Sequence, residues 1–233
     1  MSGHSKWATT KRKKAIIDSK RSSIFTKLTK IIQIAARHGA DPETNFKLRM
    51  AIDKARSFSV PKDNIERAIA RGSGTGDGNP LEEIIYEAYG PNGVAIIIES
   101  VTDNKNRSAA DLKHLLSKHG GSLGASNSVL WQFDRRGIIY IKNTSLNDDE
   151  ELLIIDAGAL DIEKSDDGIR IITNMEDLQK VQEKIKNIVE IDNGELEYIP
   201  KTKVKVENSE TLEKLFEALE ENDDVNNYYS NAE

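Results

Sequence analysis

Apolar residues recur at helical spacing early in the chain: Ile24, Leu28, Ile31, Ile32 and Ala35 share one face, with Lys27, Lys30 and Arg37 elsewhere around the wheel. This predicts an amphipathic helix over 23–37, ended at His38-Gly39. Asp41-Pro42 then offers an N-cap and a first-turn proline, and Phe46, Met50 and Ala51 carry a second helix to about Arg56. Pro61 opens a third through Ile65, Ala68 and Ile69 to a stop at Gly72. Three short helices with one apolar stripe each predict a small bundle.

The glycine-rich run GSGTGDGNP (72–80) follows a helix and lacks a Gly-Lys-Ser/Thr ending, so it reads as a linker rather than a phosphate loop. Beyond it the period changes. Strands are expected at 84–89 and 94–101, joined by Gly90-Pro91-Asn92-Gly93, then a helix from Ser108 to Lys118 and a strand at 129–133. From Gly137 the order is strand (138–142), helix (148–157), strands (160–163 and 169–173), helix (176–190) and strand (195–199), the βαββαβ order of a split βαβ unit. The remaining strand (202–206), helix (210–221) and strand (225–229) cannot make a domain alone, but they complete the interrupted unit before residue 133.

The expected fold is therefore α+β and multidomain, an N-terminal three-helix bundle plus two ferredoxin-like α+β domains, one inserted in the other. The expected division is a basic arm at 1–20, the bundle at 21–76, a discontinuous domain at 77–135 plus 201–233, and the insert at 136–200. A length of 233 residues suits several domains rather than one core. The absence of cysteine excludes disulfides, thiol nucleophiles and Cys-ligated metal sites, and fits a reducing compartment. No apolar run approaches the ~20 residues of a membrane helix, and no secretory core follows the first charges, so no membrane partner and a cytoplasmic location are expected.

Charge changes this picture most. Residues 1–76 hold 17 Lys+Arg against 6 Asp+Glu, and the remainder holds 16 against 33, within a net charge of -6. The first 21 residues concentrate Lys6, Lys11, Arg12, Lys13, Lys14, Lys20 and Arg21 against Asp18 alone. Such a segment meets a polyanion, while the acidic remainder keeps the molecule soluble. Lys27 extends the set along the first helix, and Trp7 lies where it can stack on an unpaired base or anchor the arm.

Catalytic chemistry finds little support. His114 and His119 are five apart, a spacing that does not share a helix face, and GASNS (124–128) lacks the last glycine of a nucleophile elbow. TDNKNRS (102–108) resembles the start of a calcium loop, but Lys105 stands where a ligand is needed; helix capping by Asn106 or Ser108 is simpler. The pairs Asp148-Asp149, Asp166-Asp167 and Asp223-Asp224 read as solvated charge at element ends. No metal, cofactor or small-molecule substrate is expected. For a ligand site in an interdomain cleft, TDNKNR and Tyr89-Gly90-Pro91 are the stretches to watch, although both read amply as turns.

GHSKW (3–7), KRSSIFTKL (20–28), AIDKA (51–55), PKDNIERAI (61–69), YGPNGVAIIIE (89–99), TDNKNR (102–107), GGSLG (120–124) and W-x-F (131–133) resemble the YebC/PmpR family, as do IPK (199–201) and DDVNNYY (223–229). The resemblance implies a helical bundle with two α+β domains and a DNA-binding transcriptional regulator. Mitochondrial relatives are translational activators and bacterial members have been linked to ribosomes, so it also implies an alternative, a ribosome-associated factor that contacts ribosomal RNA. The expected partner is nucleic acid, DNA or ribosomal RNA, and no enzyme activity is implied. The chain departs from the family in its tighter loop at His38-Gly39-Ala40.

Overall fold

The computed structural model describes residues 22–76, 80–143, 145–165, 168–206 and 209–233. They form two compact units, one of residues up to Phe133 together with Pro200–Glu233, the other Asp134–Ile199. In the first unit, α1 (22–36), α2 (Phe46–Ser57) and α3 (Lys62–Gly72) bury Leu28, Ile32, Leu48, Ile52, Ile65 and Ala68 in one core. In α1 and α3 these lie on the apolar stripes expected from the periodicity; in α2 Leu48 and Ile52 fill the core beside Ala51, whereas Phe46 and Met50, expected on that stripe, are half-buried.

The start of α2 differs from the sequence expectation. Asp41 builds a turn instead of a cap: its carboxylate accepts the Glu43 N–H at 2.9 Å and its carbonyl accepts the Asn45 N–H at 2.9 Å. The cap is the buried Asn45, which accepts the Leu48 N–H at 3.1 Å while its amide donates to the carbonyls of Ala35 and Gly39, both at 2.8 Å. One side chain thus satisfies the orphan groups at the end of α1 and the start of α2, which an acceptor-only aspartate cannot do. Gly72 is the last residue of α3 rather than a stop beyond it. A Cβ there would come within 2.1 Å of the Gln33 carbonyl oxygen and 2.8 Å of Ala36 Cβ, so glycine is what lets α3 approach α1.

The rest of the first unit is a four-stranded antiparallel sheet of order β3-β1-β2-β8. β1 (Glu82–Tyr89) and β2 (Ala95–Thr102) form a central hairpin, registered from Glu82 opposite Thr102 to Tyr89 opposite Ala95. Its turn, Pro91–Gly93, needs positive φ at Asn92 and Gly93, which these residues tolerate best. The short β3 (Ser122–Leu123) flanks β1, and β8 (Val225–Ser230) flanks β2. Helices α4 (Lys105–Lys118) and α7 (Glu210–Glu221) pack on one face, closing a core of Ile96, Ile98, Leu112, Leu116, Leu215 and Leu219.

Two expected strands are absent among the described residues. Residues 130–132 form a 3-10 turn, and the next strand, β4, begins at Phe133. The cause is Glu87, whose carboxylate takes the N–H groups of Asn127, Val129 and Leu130 that a strand would have offered to a neighbour. Residues 202–206 make only a single parallel bridge, Val204 with Ala232.

The second unit runs β4 (Phe133–Ile141), α5 (Asp148–Ala157), β5 (Asp161–Ser165), β6 (Gly168–Asn174), α6 (Leu178–Ile185) and β7 (Ile191–Pro200). Its sheet order β5-β6-β4-β7 is that of the ferredoxin-like fold. Helix α6 is shorter than the expected 176–190, and β7 is longer than the expected 195–199. Ile139, Ile141, Ile154, Ile171 and Val181 are buried here. In the register that aligns Tyr140, Arg170 and Glu163, Arg170 Nε donates to Glu163 at 2.5 Å and the Tyr140 hydroxyl donates to Glu197 at 2.7 Å.

Replacing Gly72 by alanine drives a methyl group into a backbone carbonyl. We expect a loss of about 1–3 kcal/mol of stability, read from the urea midpoint; an unchanged midpoint would show that α3 can back away from α1.

Candidate nucleic-acid interface

Helix α1 carries basic residues toward the sheet of the same unit, and their geometry is specific. Lys30 Nζ donates to Asp224 Oδ1 at 2.8 Å and to the carbonyls of Val101 and Asp223, both at 3.0 Å. One turn earlier, Lys27 Nζ donates to the Glu220 carbonyl at 2.5 Å, and the Ser23 hydroxyl donates to Asp223 at 2.8 Å. Lys27 and Lys30, which the periodicity places off the apolar face of α1, are thus engaged at the seam between bundle and sheet. The Lys30 side chain is only 16% exposed.

Asp224 is the centre of this seam. It sits just before β8, its own carbonyl accepting the Val101 N–H at 2.9 Å, and its side chain is 13% exposed. Besides Lys30, the carboxylate accepts from Ser108 Oγ at 2.5 Å, Thr102 Oγ1 at 3.1 Å and Arg107 at 3.3 Å. Burial alone would raise its pKa; the hydrogen bonds and charges of Lys30, Ser108 and Arg107 outweigh that and hold it at about 2. Burial, then the Asp224 charge, push the Tyr86 phenol up. Asp224 is therefore not the solvated turn charge expected from sequence.

The TDNKNRS stretch supplies the other side of the site. Asn104, rather than Asn106 or Ser108, caps α4 by accepting the Arg107 N–H at 3.1 Å. Its own N–H donates to Thr102 Oγ1 at 3.0 Å. That frees Ser108, one turn into the helix, to meet Asp224. Sequence inspection misses the cluster because its members come from α1, the end of β2, the first turn of α4 and the residue before β8, up to 194 positions apart.

Of the residues expected to bind phosphate, Lys6, Trp7, Lys11, Arg12, Lys13, Lys14, Lys20 and Arg21 lie outside the described residues; Lys27 is half-buried at the seam just described. The bundle adds exposed Arg37, Lys47 and Arg71. Arg49 lies over the Phe46 ring at 5.4 Å, a cation–π contact that fixes its direction.

Sequence comparison covers nearly the whole chain. A family model described as the TACO1/YebC protein N-terminal domain matches residues 5–75, and one described as the TACO1/YebC second and third domain matches residues 81–232. The chain belongs to the TACO1/YebC family. A probable transcriptional regulatory protein of Thermoanaerobacter pseudethanolicus is 50% identical across 100% of this chain and 97% of its own length. One from Chlorobaculum tepidum is 48% identical across 100% and 95%. The crystal structure of a conserved hypothetical protein from Aquifex aeolicus is similar with a TM-score of 0.83 and 37% identity, covering 93% of this chain and 92% of that one. Among the described residues no helix is long and apolar enough to cross a membrane.

Because the folded pKa of Asp224 lies below its ordinary value, its contribution to stability is complete above about pH 4 and is lost as pH falls toward 2. Asp224→Asn should cost about 1–2 kcal/mol at neutral pH, after allowance for solvent screening, and flatten the stability profile between those pH values. Chemical denaturation of both proteins from pH 2 to 7 checks this; parallel profiles would exclude it.

Proposed function

We propose that this chain is a non-enzymatic, nucleic-acid-binding regulator of gene expression, a DNA-binding transcriptional regulator that holds its ligand mainly by phosphates. The observation that carries the reading is the segregation of charge, 17 bases against 6 acids in residues 1–76 and the reverse beyond. A polyanion binds where counterions are released, and the acidic remainder keeps it from spreading over the rest of the molecule. The names of the relatives support a role in transcription. Lys6, Lys11, Arg12, Lys13, Lys14, Lys20 and Arg21 are the phosphate partners in this reading, with Trp7 stacking or anchoring and Lys27 at the edge of the surface.

The bundle suits backbone recognition better than base reading. α3 carries Lys62, Arg67 and Arg71, but Lys62 pairs with Glu66, and Arg67 donates to the Asp63 carbonyl and to Asn64. Those groups are spent on the helix itself rather than held out toward base edges.

If about five bases meet duplex phosphates, the logarithm of the binding constant should fall against that of salt concentration with a slope near −4 to −5, by fluorescence anisotropy on a labelled duplex. Changing Lys11 to Lys14 to glutamate should abolish most of the binding. A slope near zero would refute the reading. Sedimentation with ribosomes, lost on the same charge reversal, would move the ligand from promoter DNA to ribosomal RNA.

A further inference from the structure

The acidic part of the chain contains one basic strip, and an aromatic ring stands beside it. Trp131 is 66% exposed, an unusual position for the largest side chain, yet it is held: its indole Nε1 donates to the Ser128 carbonyl at 3.1 Å. The loop beneath it is fixed in turn by Glu87, which is buried and accepts three backbone N–H groups from residues 127, 129 and 130. With its one donor already used, the indole offers a ligand only its face.

The neighbouring segment, Pro200 to Val206, contains Lys201, Lys203 and Lys205 and no acid. It is clamped along its length. The Lys201 N–H donates to the Gln132 carbonyl at 2.9 Å and Lys201 Nζ to the Trp131 carbonyl at 2.9 Å. The Val204 N–H donates to the Asn231 carbonyl at 2.7 Å, and Asn231 reaches back to the Gln132 side chain at 3.3 Å. Lys203 and Lys205 are exposed, and among the described residues neither forms an ion pair. Lys203 and Lys205 flank the bridged Val204, where alternate residues of extended backbone point the same way at about 6.6 Å spacing, and Lys201 adjoins them from the bend at 201–202.

From this placement we infer that Trp131, with Lys201, Lys203 and Lys205, is a second nucleic-acid contact, one that takes an unpaired base on the indole face and its flanking phosphates on the lysines. The inference rests on the nucleic-acid reading above and adds what the basic arm does not require, a preference for single strands. A duplex keeps its bases stacked on one another and cannot offer one to a rigid ring. A single strand can, and stacking of this kind tolerates any base.

The test uses the full chain with Trp7→Phe, so that Trp131 is the only tryptophan emitter, and all comparisons stay within that background. Short oligouridylate, oligothymidylate and a duplex of equal length are titrated in turn. Expected is saturable quenching of Trp131 emission by the single strands and not by the duplex. Trp131→Ala should weaken single-strand binding about fivefold or more, and Trp131→Phe should restore most of it. Lys203→Ala with Lys205→Ala should make the salt slope shallower. Equal quenching by both strands identifies the shared base and phosphate chemistry as the ligand; stronger binding of uridylate identifies RNA, read through its 2′-hydroxyl. Unchanged emission with every ligand, or undiminished single-strand affinity in Trp131→Ala, would overturn the inference. The two readings fail separately: reversing Lys11 to Lys14 tests the arm by duplex affinity, while Trp131 quenching by single strands reports the second contact alone.

Discussion

The carboxylate of Asp224 is the constraint on which the first unit depends. It accepts hydrogen bonds from Lys30 on α1, Thr102 at the end of β2, and Arg107 and Ser108 in α4, so one anion joins the bundle to both layers of the sheet domain. A buried carboxylate with fewer donors would be costly, and removing one partner leaves charge uncompensated. Here the donors are sufficient to lower its pKa from 3.8 to about 2, so that it is ionised at neutral pH. The same arrangement commits Lys30 to structure rather than to a ligand.

Glu87 solves the comparable problem on the other side of the hairpin. Its buried side chain would be raised in pKa by burial, but the N–H groups of Val129, Leu130 and Asn127 hold it down. In return the carboxylate dictates the path of a loop that has no ladder of its own. That loop presents Trp131, so a buried charge sets the position of an exposed ring.

These anchors bear on function through the distribution of charge. On the function proposed above, a basic N-terminal segment joined to an acidic remainder would bind a polyanion without surrendering the whole surface to it. Salt bridges within the acidic part, such as Lys142 with Glu190 and Lys214 with Glu210, lie at the surface and contribute little to stability. Relatives of the same family carry the name probable transcriptional regulatory protein.

Local pattern by itself determined most of the elements. The helix over 148–157 and that over 210–221 are where periodicity puts them, because the Asn147–Glu150 capping box and the apolar stripe of Leu212, Leu215, Phe216 and Leu219 are local signals. The chain leaves the first compact unit after Phe133 and returns to it at Pro200, and the final helix and strand bury their apolar faces in that unit's core. The expected strand at 129–133 did not form because whether an apolar segment joins a ladder depends on what its backbone groups bond to, and Glu87 lies 40 or more residues from the N–H groups it takes; residues 202–206 make a single parallel bridge. The cap at Asn45, the close approach at Gly72 and the cluster around Asp224 were likewise decided in three dimensions. Composition and spacing record which groups can donate or accept, but a buried charge is stable only beside partners that folding brings from elsewhere in the chain.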